Sequence, residues 1–162
     1  MNLNFIFSEI NNYFLDDNIN ISILHGNFII ANNKITYSDG TELPLKPNQY
    51  FRITKSISNE GVFQNSEECE FGECLADLVD EEFSGNIWLM RVPRDFVSLC
   101  KSIYDWIIAN GDTLHGPYKS ESFGGYSYTK GTTSSGGSVD WDDEFKSSLS
   151  RYKKLRKLLW VY

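Results

Sequence analysis

The chain contains no run of about 18 apolar residues, so no membrane-spanning helix is expected. Its opening residues, Met1-Asn2-Leu3-Asn4-Phe5, lack the basic region of a secretory signal. Cysteine is scarce. Cys69, Cys74 and Cys100 make an odd set without a C-x₂-C knuckle, which predicts reduced thiols in a cytosolic protein rather than a disulfide framework. There are only two histidines, His25 and His115, and neither stands beside an activated-nucleophile pattern. No G-x-S-x-G is present, and neither Gly124-Gly125 nor Gly136-Gly137 has phosphate-loop spacing. Cys69 and Cys74 are five apart and, with His25 or His115, give an incomplete zinc signature. Asp80-Glu81-Glu82 lacks the alternating oxygen ligands of a calcium loop and reads as solvated acidic surface. The expectation is therefore a non-enzymatic protein with no catalytic residue, no metal and no cofactor.

Positive charge is also missing from one long stretch. Between Glu60 and Glu82 there are nine carboxylates and no Lys or Arg, whereas Lys146, Arg151, Lys153, Lys154, Arg156 and Lys157 make the C-terminal segment basic. The net charge of −7 argues against a dedicated nucleic-acid binder. Opposite charge at two places could support head-to-tail association between copies, although two solvated faces are the simpler reading. Aromatic residues are abundant: four Trp, nine Tyr and eleven Phe in 162 residues could fill a core, and some of them are expected to face partners.

The length suits one domain, residues 1–162, with a single sizeable core. The pattern predicts an α+β fold: a small antiparallel sheet or partial barrel, a long central helix, an extended Tyr/Gly-rich loop and a C-terminal helix. Ser8 is placed to cap a short helix over Glu9–Leu15. A β-rich block follows over about 19–92. Within it Ile19, Ile21 and Ile23 alternate with polar residues, and Asn32-Asn33 and Asp39-Gly40 supply turns. Over Tyr50–Ile57, alternation places Phe51, Ile53, Lys55 and Ile57 on one side. A short helix is expected near Cys74–Val79, and Gly85 is expected to break the chain before a buried strand from Ile87. Pro93 opens a helix over about 93–110, which Asn110-Gly111 should stop. Residues 116–137 form the extended loop. The last helix is expected over about 138–160, with its acidic residues first and its basic residues last, as the helix dipole favours. The apolar ending Leu158-Leu159-Trp160-Val161-Tyr162 leaves open docking in its own core or in a neighbour.

The loop carries the strongest functional signal. In Gly116–Lys130, Tyr118, Phe123, Tyr126 and Tyr128 are interleaved with serines and Gly124-Gly125. Tyr126 and Tyr128 alternate with Ser127, as in a short strand with one apolar face. Tyr offers much contact area for little entropy loss, so this composition favours a contact element, the alternative being a loop whose tyrosines pack back on their own domain.

Several segments resemble a known family. Asn48-Gln49-Tyr50-Phe51-Arg52-Ile53 with Asn59-Glu60-Gly61-Val62-Phe63 is similar to the "GQYFRI…NDGVY" pattern of small tailed-phage structural proteins. Leu78–Met90 followed by Val92-Pro93 resembles their "DExFxGxIWxMxxP" segment, and Pro117–Lys130 their "SPYxSESFGGYSYTK" stretch. Trp141, Phe145, Leu149 and Tyr152-Lys153-Lys154-Leu155 match their "W…F…L…YRK" ending. The stretch before the last helix is also a cousin of the "SERxGDYSVxY" segment of phage head–tail adaptors. The resemblance spans roughly residues 19–157.

It implies a structural virion protein, assembled in the host cytoplasm as a head–tail connector, adaptor or neck component. By the same resemblance the partners are copies of the chain in a twelve-fold ring, the portal protein, and other neck or tail-completion proteins. DNA would pass through such a ring without sequence-specific binding, and no membrane is involved. The implied interface residues are Tyr118, Ser120, Glu121, Phe123, Gly124, Gly125, Tyr126 and Tyr128 in the loop, with Arg151, Lys154 and Trp160 beyond it. An alternative from another class is a small β-barrel that binds single-stranded nucleic acid, with Tyr126 and Tyr128 stacking on bases and Arg52 on phosphate.

Overall fold

Two asparagines set the first register. Asn32 and Asn33 take φ of 52° and 59°, the left-handed pair that a two-residue hairpin needs. They join β1 (Ile23–Ala31) to β2 (Lys34–Tyr37), with Ala31 opposite Lys34 and Phe28 opposite Tyr37. The computed structural model describes residues 3–114, 120–123, 126–129 and 141–154, with side chains outside 111–114 and the strands at 120–129.

Three further strands, β3 (Tyr50–Thr54), β4 (Gly61–Gln64) and β5 (Glu81–Leu89), complete an antiparallel sheet in the order β2-β1-β5-β3-β4. The sheet is open, so of the two expected forms it is the small sheet that is found and not a barrel. Alternation sorts its faces. Leu24, Phe28, Ile30, Phe51, Ile53, Phe63, Phe83, Ile87 and Leu89 belong to one buried cluster, closed by Ile35 and Leu78 and by Leu43, Leu45 and Leu75 from the loops. A second cluster joins Val62 and Met90 to the helices: Leu3, Ile6, Phe7 and Ile10, then Phe96, Cys100 and Ile103, and finally Leu149.

The helices are α1 (Asn4–Glu9), α2 (Arg94–Leu114), α3 (Trp141–Glu144) and α4 (Lys146–Ser150). No helix among the described residues is long and apolar enough to cross a membrane.

Several boundaries differ from expectation. The first helix precedes Ile10 rather than following Ser8. The Ser8 hydroxyl bonds the Tyr13 hydroxyl at 2.8 Å instead of capping, and Asn11 and Phe14 turn the chain through φ of 49° and 45°. β1 starts at Ile23, and Ile21 is exposed. In the third strand the alternation stops at Lys55, whose φ of 67° leaves the β region. Beyond it Ser56 is buried and Ile57 is 97% exposed, the reverse of the sequence pattern.

Gly85 does not break the chain but sits mid-strand in β5, opposite Gly26. A Cβ there would lie 2.5 Å from the Thr54 carbonyl oxygen, so the close approach of β3 is what requires glycine. The short helix near Cys74 reduces to one 3₁₀ turn, Leu75–Asp77. The long helix runs through Asn110-Gly111 to Leu114, and the Asn110 side-chain amide donates back to the Trp106 carbonyl at 2.8 Å. The last helix is divided at Phe145 (φ −96°, ψ 6°) and ends at Ser150.

The acidic stretch is not uniformly solvated either. Glu81 accepts hydrogen bonds from the Ser56 hydroxyl (2.6 Å), the Ile57 and Ser58 amides (2.9 and 3.2 Å) and the Asn59 side chain (2.8 Å). Burial pushes its carboxyl upward, but these donors outweigh burial and hold it below its ordinary value. Buried Asn59 also bonds both backbone groups of Val79, so Glu81 and Asn59 together fix the β3–β4 turn to the start of β5.

Candidate interaction surface

Ser120–Phe123 (β6) and Tyr126–Thr129 (β7) pair with each other, antiparallel, as a second sheet of two strands. Ser120 faces Thr129, Glu121 faces Tyr128, Ser122 faces Ser127 and Phe123 faces Tyr126. With a side-chain period of two, this register assigns Glu121, Phe123, Tyr126 and Tyr128 to one face and Ser120, Ser122, Ser127 and Thr129 to the other. Five of the expected interface residues thus fall on one hairpin, four of them on one face. The strand alternation of Tyr126 and Tyr128 is as expected from sequence. Tyr118, Gly124, Gly125 and Trp160 lie outside the described residues, as do His115, Gly136-Gly137 and Leu158–Tyr162.

The C-terminal segment is engaged with the body of the protein. Trp141 packs edge-on against Phe5 at 5.0 Å, and Tyr152 against Phe96 at 4.7 Å. Lys153 pairs with Glu9 at 2.6 Å. The Lys154 amide donates to the Ile10 carbonyl at 2.9 Å, and the Asn12 side chain donates to the Tyr152 carbonyl at 3.0 Å. These bonds to α1 and the turn after it take the backbone groups that further helix would use, which is why α4 ends at Ser150. Arg151 lies 3.5 Å from Asp95 and over the Tyr152 ring at 4.6 Å. The Tyr152 hydroxyl, bonded to Asp95 at 2.5 Å, holds that carboxyl below its usual range despite partial desolvation, with smaller help from the Asp95 and Phe96 amides and then from Arg151. Arg151 therefore has internal partners, which sequence alone did not indicate.

Lys154 also borders a cleft of about 450 Å³ on the helix side of the sheet. Its floor is Arg52, whose guanidinium lies 3.9 Å from the Tyr13 ring centroid and 4.8 Å from that of Trp88. Tyr13 and Trp88 meet edge-to-face at 5.6 Å. Arg52 is thus held between two rings of its own chain. Arg52 Nε and Trp88 Nε1 are buried donors with no hydrogen-bond acceptor among the described residues. The Tyr13–Arg52–Trp88 stack was not anticipated, since it joins three segments far apart in sequence.

His25 bonds Asn86 at 2.6 Å, and Asn86 bonds Thr54 Oγ1 at 3.0 Å, making a polar row across three strands. All three cysteines are free in this structure. Burial pushes Cys100 up to about 12; burial, with Cys74 alongside, does the same to Cys69. Among the described residues Cys69 and Cys74 lie with Asp77 rather than with His25: their ligand atoms are all within 4.8 Å of one another. The Asp77 contribution had a sequence signal. Cys74-x-x-Asp77 has capping-box spacing, and the Cys74 amide donates to Asp77 Oδ2 at 2.8 Å.

No protein-family model, curated protein or solved structure matches this chain.

Proposed function

We propose that this chain is a structural subunit of a tailed-phage head–tail connector, assembling as a ring between portal and tail. The observation that carries the assembly part of this reading is the β6–β7 hairpin, a two-stranded sheet separate from the five-stranded one. Two strands alone are marginal in water and gain from a third strand or a packed face. Its register gathers Phe123, Tyr126 and Tyr128 on one face, a composition suited to contact between proteins. In a ring, each modest contact repeats around the axis and the whole gains by multivalency. The phage assignment itself rests on the sequence resemblance over residues 19–157, above all on Ser120–Lys130.

The internal engagement of residues 141–154 refines the mechanism. The C-terminal segment up to Lys154 acts as a brace on α1 and α2, and the hairpin supplies the contacts between subunits. The deciding experiment is light scattering after size-exclusion chromatography, on the protein alone and mixed with portal protein. A ring, or a complex formed on the portal, is the expected result. A monomer that joins neither a ring nor the portal overturns the proposal.

A further inference from the structure

Between β4 and β5 the chain makes a tight loop whose base is fixed by backbone bonds. The Gln64 amide donates to the Glu73 carbonyl at 2.9 Å and the Leu75 amide to the Ser66 carbonyl at 3.0 Å. Gly72, at φ 84°, makes the return turn possible, and Leu3 packs against it. Closing the loop brings Cys69 back toward Cys74, and the following 3₁₀ turn brings Asp77 to the same point. Cys74 is buried, Cys69 is half-buried and Asp77 is exposed, so the cluster sits at the surface with one side open to solvent.

We propose that Cys69, Cys74 and Asp77 bind a zinc-class divalent cation through two sulfurs and one carboxylate oxygen, with the fourth position left to water. Distances support this. A tetrahedral zinc site with Zn–S near 2.3 Å and Zn–O near 2.0 Å has S···O and S···S edges of roughly 3.5 and 3.8 Å. Cys74 Sγ lies 3.4 Å from Asp77 Oδ2. Since all three ligand atoms fall within 4.8 Å of one another, closing the site needs a shift of roughly 1.3 Å at most. That shift is available at Cys69, which is carried by the loop rather than by a strand.

Chemistry selects the ion. Two sulfur ligands favour zinc over calcium or magnesium, which prefer oxygen alone and more of it. Glu67, Glu68 and Glu73 add negative charge to the loop that attracts a cation, while Glu70 is paired with Lys101 at 3.0 Å. On binding, each thiol releases one proton to solvent and two S–Zn bonds form, with no change of oxidation state. The Cys74 S–H bonds to the Glu67 carbonyl and to Asp77 are exchanged for bonds to the metal. The ion would pin the acidic loop to the turn that leads into β5. This reading is independent of the connector assignment.

The test uses the full chain, stripped of metal and kept reduced with a phosphine. Cobalt(II) is the spectroscopic probe and zinc the competitor. The expected result is saturation at one equivalent with a thiolate-to-cobalt charge-transfer band and intense tetrahedral d–d bands, all bleached by zinc. Cys69→Ser, at the half-buried ligand, should lose about half of the charge-transfer intensity and weaken binding at least about tenfold. Asp77→Asn should keep the charge-transfer band and weaken binding about tenfold. Cys100→Ala should change nothing, and circular dichroism of each variant confirms that the fold is retained. No charge-transfer band in the wild type overturns the proposal. So does cobalt binding that Cys69→Ser leaves intact, which would place the ion on the carboxylates alone.

Discussion

The five-stranded sheet and the β6–β7 hairpin are both built by antiparallel pairing and alternation, but they stop at different points. In the larger sheet β1, β5 and β3 each have a strand on both sides, and Phe28, Phe51, Phe83 and Ile87 are buried together on one face. In the hairpin each strand has one neighbour, and the aromatic residues share a face of a sheet only two strands wide. The first sheet derives its stability from within the chain. The second has the form of an element that contributes when something pairs with it or packs on it. The comparison predicts that substitutions in the large sheet act on stability and substitutions in the hairpin act on association.

The strongest way to break the larger sheet is at Gly85. A methyl group there meets the Thr54 carbonyl oxygen at 2.5 Å and the Phe83 ring at 3.0 Å, and β3 cannot retreat without losing its pairing to β5. Gly85→Ala should cost about 3 kcal/mol. Its cross-strand partner gives the control. At Gly26 the added methyl would meet the Tyr37 ring at 3.4 Å and the Phe28 ring at 3.8 Å, both side chains rather than backbone, and Gly26→Ala should change stability by less than about 1 kcal/mol. Urea denaturation of the two variants checks the contrast. Equal losses would show that it is the glycine pair, not the approach of β3, that matters.

Glu81 sharpens the same point through charge. Glu81→Gln keeps the shape of the side chain but removes the charge that four donors surround, and should cost about 2 kcal/mol near neutral pH. Because the folded carboxyl titrates below its ordinary value of 4.5, the stabilisation is fully present above that value. It is lost as pH falls through the lowered folded value. The difference between wild type and Glu81→Gln in urea midpoint should therefore shrink below about pH 4.5. A difference that stays constant from pH 7 to pH 3 would assign the effect to packing rather than to charge.

What the sequence disclosed follows from how local each feature is. Asn32-Asn33 and Asp39-Gly40 announce their turns because the required backbone angles are a property of those residues themselves, and Gly40 indeed takes φ 84°. The start of α2 was equally legible, since Pro93 favours the first turn of a helix by its own backbone angle. Gly85 was misread as a breaker because its requirement comes from Thr54, thirty-one positions away, and not from its neighbours. The end of the last helix was misplaced for a similar reason: propensity and charge favour helix to the end, but Asn12 and Ile10 take the backbone of Tyr152 and Lys154. In the candidate surface, the alternation of Tyr126 and Tyr128 was visible and the Tyr13–Arg52–Trp88 stack was not. Only the fold brings those three residues together.

The smallest expected effect on stability is in the hairpin, and it is also the most informative about function. Tyr126→Ser combined with Tyr128→Ser alters β7 of the two-stranded sheet and no residue of the five-stranded one. The urea midpoint should move by no more than about 0.5 kcal/mol in equivalent stability. Association should respond far more. If the aromatic face of β6–β7 makes the contacts between subunits, removing two of its three rings should leave a folded monomer at concentrations where the wild type assembles. The companion change Ser122→Ala with Ser127→Ala, on the opposite face by register, should leave assembly unaltered. If the serine pair disrupts assembly and the tyrosine pair does not, the contact face has been assigned to the wrong side of the hairpin. If the tyrosine pair instead lowers stability by several kcal/mol, the rings pack on their own subunit and the contrast between the two sheets fails.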